Sequence, residues 1–325
     1  METLRTETRD GVRSIVLCRA EAYNTITPQL RDELSQAIDA AESDPNVRVI
    51  LLRAEGPAFC AGYGFDWAID AQAREMTSSE AEPLPVRAQG GEAAAQRAAG
   101  ERSSRNAASD PVGRAQRAAG ERSSRVWDSV ADLRMLGRFV DTYMKLWYAK
   151  KPTIAAVQGW CIGGGTDMVL CADLIVAGEG ATFGYPPSRV WGTPTTAMWV
   201  YRMGLERAKR YMLTGDEIPA PEAARIGLIL EAVPDAELAD RAFALATRMA
   251  RLPLNQLIML KLLANQTVEN MGFASSRMLG TLFDGIARHT QEGLDFVRRA
   301  GDVGFRQAVR DRDDPFGDYG SRKRR

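Results

Sequence analysis

The segment of this 325-residue chain best suited to chemistry is a glycine run followed by a carboxylate. Gly163, Gly164 and Gly165 stand together, and Asp167 comes two residues later. The apolar run Thr153 to Val157 ahead of them reads as a short buried strand, broken at Gly159. From Thr166 the pattern turns helical. A strand that ends at glycines and restarts as a helix leaves backbone N–H groups without partners at the helix start. These groups and the helix dipole favour negative charge in front of them. Glycine lets a ligand approach the backbone closely, because no Cβ stands in the way. A carboxylate in that first turn could move a proton beside a stabilised anion. It could equally serve only to favour the helix N-terminus, and position alone leaves both readings open.

Composition narrows the function classes. Hydrophobic residues make up 45% of the chain, enough for one large domain or a domain with an appendage. The 42 basic and 42 acidic side chains cancel, so nothing global points to nucleic acid or to a membrane surface. No apolar run reaches the roughly 18 residues of a membrane span, and the first residues carry no apolar signal core. A cytoplasmic protein is the resulting expectation. The four cysteines, Cys18, Cys60, Cys161 and Cys171, lack CxxC spacing and read as small buried residues. His289 is the only histidine, which argues against a zinc site and leaves a Ser-His-Asp triad nothing else to use. Neither GxGxxG nor a P-loop is present, so a dinucleotide cofactor is not expected.

The elements that must position the glycine run can be followed along the chain. Asp10-Gly11 between two apolar runs predicts a hairpin of strands over 4–9 and 12–18. Thr27-Pro28 predicts a helix start, with Leu30, Leu34, Ile38 and Ala41 along one face. Residues 47–53 read as a strand, and residues 126–148 as a long amphipathic helix. Between them, residues 77–125 are rich in Ala, Gly, Glu, Arg and Ser. An identical segment, Ala95 to Arg105, recurs from Ala115 to Arg125. This stretch lacks apolar periodicity and reads as a disordered or loosely helical insertion. Past Gly204 the chain is mostly helical, ending in a basic tail read as a mobile terminus.

Several segments in order resemble the crotonase, or enoyl-CoA hydratase/isomerase, family. They are Lys151-Pro-Thr-Ile-Ala-Ala-Val, Gly159-Trp-Cys-Ile-Gly-Gly-Gly, the acidic residue after the triplet, Cys171-Ala-Asp-Leu and Ala181-Thr-Phe-Gly. The resemblance covers about residues 4–76 and 126–300 and leaves the insertion outside. It implies an α/β fold: a crotonase-like spiral of ββα units over 1–203, with a helical oligomerisation region and tail over 204–325. It also implies an acyl-CoA substrate whose thioester oxygen lies in an oxyanion hole made by the N–H groups of Tyr63 and Gly164, with Asp167 moving a proton. Each such donor is worth about 3–4 kcal/mol of transition-state stabilisation. Coenzyme A, as part of the substrate, would meet the loop at Arg19 and Ala22, with Ala61 and Lys261 as further contacts. No other cofactor and no metal are implied. The assembly implied is a homotrimer, or a hexamer built as a dimer of trimers.

Two departures from the family pattern matter. Family hydratases carry Glu where this chain has Asp167, and one methylene changes the reach by roughly 1 Å, enough to cost on the order of 100-fold if uncompensated. The second family Glu, expected shortly after Phe183, is absent, because no carboxylate occurs between Phe183 and Thr196. Hydration holds a water between two carboxylates, so isomerisation survives this loss better. Tyr185, Ser188, Arg189 and Trp191 occupy that stretch as possible pocket residues, as does Asp66 after the first donor. Tyr185 could donate a proton and Arg189 could hold an anionic substrate group, though each residue type serves structure as readily. The alternative to an enzyme is an acyl-CoA-binding homologue without hydratase activity. A weaker reading is RNA binding through the six arginines of the repeats, as one branch of the family suggests.

Overall fold

The computed structural model describes residues 1–63 and 128–319. Asp66 and the 77–125 insertion lie outside the described residues.

Two sheets carry the site. The first has six strands in the order β1 (Leu4–Arg9), β2 (Val12–Leu17), β3 (Val49–Ala54), β5 (Thr153–Val157), β7 (Leu174–Gly178) and β10 (Glu231–Val233). The predicted hairpin is its antiparallel edge, and Asp10 and Gly11 turn it with positive φ. The other neighbours run parallel. The second sheet orders β4 (Ala58–Cys60), β6 (Trp160–Ile162), β8 (Thr182–Gly184) and β9 (Ile218–Pro219). Each turn of the spiral lays one strand in each sheet: β3 then β4, β5 then β6, β7 then β8.

Strand periodicity explains the layering. Val49, Leu51, Ile154 and Ala156 face one cluster, closed by Ala242 and Ala246 of α7 (Leu238–Ala250). Ile50, Leu52, Ala155 and Val157 face the opposite, larger cluster. That core includes Leu30, Leu34 and Ile38 of α1 (Pro28–Ser43) and Phe139, Tyr143 and Trp147 of α2 (Ser129–Tyr148). Thr27 caps α1 as predicted, its hydroxyl accepting from Leu30 N at 3.1 Å, and Asp128 caps α2. The helix after the glycines, α3 (Gly164–Leu170), starts two residues earlier than its sequence pattern suggested. Here Gly165 lies against the Cys60 carbonyl, where any Cβ would collide.

The sheets do not stop at residue 203. After α4 (Met198–Met203) and α5 (Leu205–Thr214), β9 and β10 close the edges on either side of α6 (Ala220–Arg225). The helical region proper is α7, α8 (Leu254–Asn270), α9 (Phe273–Arg288), α10 (Gln291–Val303) and α11 (Phe305–Asp313). The tail differs from the mobile terminus expected. Up to Tyr319 it is pinned, because Arg189 binds Asp313 at 3.0 Å and Asp318 at 2.7 Å and stacks on Phe316. Among the described residues no helix is long and apolar enough to cross a membrane.

Candidate active site

A cavity of about 330 Å³ opens where β4, β6 and the start of α3 meet α2, α9 and the tail. Ala61, Gly62 and Tyr63 form one side of its floor, and Ile162, Gly163 and Gly164 the other. Two contacts bring these distant segments together. Ile26 N donates to Gly62 O at 2.9 Å, making a parallel bridge with Tyr63. In that register the bridge bonds belong to Ile26, so the Tyr63 amide is directed away from it. A Cβ on Gly164 would lie 2.8 Å from the Tyr63 ring and 2.9 Å from Ile26 Cδ1, so any other residue there would have to displace one of those side chains. Gly164 opens α3, so its N–H has no acceptor within the helix. The rest of the lining is largely apolar, with Phe139, Trp160, Trp191 and Phe305 among it.

Asp167 is seated behind this wall rather than in it. Its side chain is inaccessible, and it is not among the residues that line the cavity. Thr195 binds one carboxylate oxygen through N at 3.0 Å and Oγ1 at 2.8 Å, and Thr196 Oγ1 binds the other at 3.2 Å. Burial outweighs those bonds and pushes its pKa up to about 7. The arrangement ties α3 to the Thr195-Thr196 segment.

The other predicted residues divide. Tyr185 and Trp191 line the cavity, with the Tyr185 hydroxyl donating to Thr193 O at 2.7 Å and Trp191 stacked on Phe296. Ser188 is outside the lining, its Oγ buried with no hydrogen-bond partner. Arg189 does not face the cavity as an anion holder, because its guanidinium is buried among Asp216, Asp313 and Asp318. Lys261 is only 8% exposed, and its ammonium binds Asp173 at 2.8 Å and the Leu146 carbonyl at 2.9 Å. It braces α8 on the core. Arg19 donates to Thr25 O within the turn that holds Ala22, and Ala61 N binds Tyr23 O at 3.1 Å, which brings that turn to the cavity rim.

Sequence reasoning missed a charged cluster inside the cavity. Asp284 and Arg288 of α9 both line it. Arg288 Nη2 binds Asp132 of α2 at 2.7 Å, while its Nε stands 3.6 Å from Asp284 Oδ2. Asp284 Oδ1 accepts from Thr193 N at 3.1 Å. Burial pushes the Asp284 carboxyl up to about 6 against the pull of Arg288. In sequence the pair is an ordinary i,i+4 ion pair of a surface helix. Only the packing of α9 on α2 turns it inward. Among the described residues no group of three or more His, Cys, Asp or Glu side chains is placed to hold a metal.

The comparisons agree with this architecture. The model of the enoyl-CoA hydratase/isomerase family matches residues 7–87 and 129–303. The crystal structure of an enoyl-CoA hydratase from Mycobacterium smegmatis superposes with a TM-score of 0.80 at 38% identity, covering 98% of this chain and 96% of that one. EchA13 of Mycobacterium tuberculosis, named as an enoyl-CoA hydratase, is 31% identical over 85% of this chain and 77% of its own length. The hydroxycinnamoyl-CoA hydratase-lyase of Pseudomonas fluorescens is 27% identical over 76% of this chain and 72% of its own. The chain belongs to the enoyl-CoA hydratase/isomerase family, and its fold is the crotonase fold.

Proposed function

We propose that the protein binds acyl-CoA thioesters and stabilises their enolates between the amide N–H groups of Tyr63 and Gly164. The observation that supports this reading is that Tyr63 and Gly164 line one cavity and that a Cβ built on Gly62, the residue before Tyr63, would lie 3.6 Å from Gly164 N. A thioester oxygen there would gain negative charge as a C2 proton leaves, and the start of α3 favours that charge. The aromatic lining suits an apolar acyl chain or ring, in keeping with the hydroxycinnamoyl-CoA enzyme among the relatives. Double-bond isomerisation fits better than hydration. The carboxylates lining the cavity among the described residues are Asp284 and Asp313, and Asp313 is held by Arg189 and Arg312. The reading uses no metal or redox group, and it keeps the cytoplasmic location and the trimer or hexamer expected from the sequence. Incubating the protein with a panel of 2-enoyl- and 3-enoyl-CoA esters and following products by mass spectrometry tests it. Conversion of at least one 3-enoyl ester is expected. Failure to bind or convert any ester of the panel would contradict the reading and favour neither isomerisation nor hydration.

A further inference from the structure

Resting on that reading, we propose that Asp284, carried on α9, is the carboxylate that moves the proton in this cavity, with Arg288 and Asp132 as its positioning residues. Among the described residues, Asp167, Asp313 and Asp284 differ in what holds them. Asp167 accepts three hydrogen bonds and stands outside the lining. Asp313 is clamped between Arg189 at 3.0 Å and Arg312 at 2.7 Å. Asp284 lines the cavity with one amide bond to Oδ1 and a loose 3.6 Å approach to Oδ2. The close partner of Arg288 is Asp132, which holds the guanidinium back from Asp284. Asp132 can lie there because residue 285 is glycine, where any Cβ would collide with its carboxylate.

The position matches the work required. A Cβ built on Gly192 would lie 3.3 Å from Asp284 Oδ1 and 2.8 Å from Pro187, and one on Gly163 would lie 3.6 Å from the same proline ring. Gly192 and Pro187 therefore link Asp284 to Gly163, the residue that precedes α3. This is the stretch in which the expected second carboxylate is missing from the sequence. α9 supplies one from another part of the chain. A carboxyl brought near neutrality by burial is suited to taking and returning a proton at physiological pH.

The step is balanced within one ester. The Asp284 carboxylate takes a proton from C2 of a 3-enoyl thioester. The C2–H electron pair delocalises into the thioester carbonyl, and the oxyanion rests on Tyr63 N–H and Gly164 N–H. The Asp284 carboxylic acid then returns the proton to C4, and the double bond moves from C3=C4 to C2=C3. Nothing is oxidised or reduced, and no proton is gained or lost.

Exchange of C2 hydrogens for deuterium in D₂O isolates the proton transfer from any later chemistry. Hexanoyl-CoA and 3-phenylpropanoyl-CoA are the probes, read by mass spectrometry, with equilibrium binding of both esters and thermal melting measured in parallel. Asp284→Asn is expected to lose at least about 100-fold in exchange rate with ester binding within about threefold of wild type. Asp167→Asn is expected to retain exchange within about tenfold. Asp132→Asn leaves the carboxylate in place and gives a second test. The charged and titratable groups facing Asp284 are Arg288 on its own helix, Asp132 on α2, Asp167 on α3, Tyr63 after β4 and Tyr185 after β8. Removing the Asp132 charge leaves Arg288 to Asp284, so the acid limb of the rate profile should move to lower pH. Exchange by Asp284→Asn within threefold of wild type, loss of exchange confined to Asp167→Asn, or an unmoved acid limb in Asp132→Asn would overturn the assignment and leave the acyl-CoA reading intact. Absence of both binding and exchange in the wild-type protein would instead overturn the acyl-CoA reading itself.

Discussion

Asp167 is the residue whose setting departs furthest from what its sequence position suggested. It was legible as a first-turn carboxylate, and it is one. Its partners Thr195 and Thr196 lie too far along the chain for any local pattern to connect them. Its burial has a consequence for stability. The carboxyl rises from the ordinary range to about 7, so the folded protein holds the proton more tightly than the unfolded chain does. That contribution is fully present below about pH 4 and is lost as pH rises to about 7. Asp284, pushed up to about 6, acts in the same direction. The stability of wild type relative to Asp167→Asn should therefore fall by about 2 kcal/mol between pH 5 and pH 8. Denaturant melts of both proteins across that interval check it, and a constant difference would contradict it. Gly164 is a second residue with a sharp expectation. Gly164→Ala would drive a methyl into the Tyr63 ring, which stands 2.8 Å from the missing Cβ. Ester conversion should fall about 100-fold, the scale of one lost oxyanion donor, with melting measured alongside to separate displacement from unfolding.

At the scale of elements, periodicity and turn chemistry located the first strands and α1, and the glycine run located the junction of β6 with α3. These are local signals: Asp10-Gly11, Thr27-Pro28 and alternation in β3 and β5. What local signals could not show was which charged residues face inward. Lys261 and Arg189 are long cations that read as ligand contacts, yet each is buried against carboxylates that no spacing rule predicts. Arg189 joins the 3₁₀ turn Pro186–Arg189 to the tail, and Arg312, Asp313 and Tyr319 of that tail line the cavity. Arg189→Ala leaves Asp318 without its close cation, and a broken buried pair costs about 3 kcal/mol. The loss should be confined at first to the latch. Hydrogen exchange over residues 305–319 should rise before the sheets respond, and uniform protection along the tail would show that Arg189 does not hold it.

For the whole molecule, the helical region leaves an apolar face uncovered in the single chain. Met259, Leu260 and Leu263 of α8 and Met278, Leu279 and Phe283 of α9 are exposed there. α9 carries this face on one side and Asp284 toward the cavity on the other. In the proposed assembly this one helix would serve both a subunit interface and the cavity. The proposed trimer or hexamer should appear in sedimentation velocity as a species of three or six chains, and Leu263→Glu should shift it toward monomer. A monomeric wild-type protein at micromolar concentration would contradict that expectation. The claim on which the functional reading stands is that two amides from separate parts of the chain hold one carbonyl oxygen. A crystal structure of the protein with hexanoyl-CoA tests it most directly. The thioester oxygen should lie about 2.7–3.1 Å from both Tyr63 N and Gly164 N; an ordered thioester within hydrogen-bond distance of neither nitrogen would contradict the account.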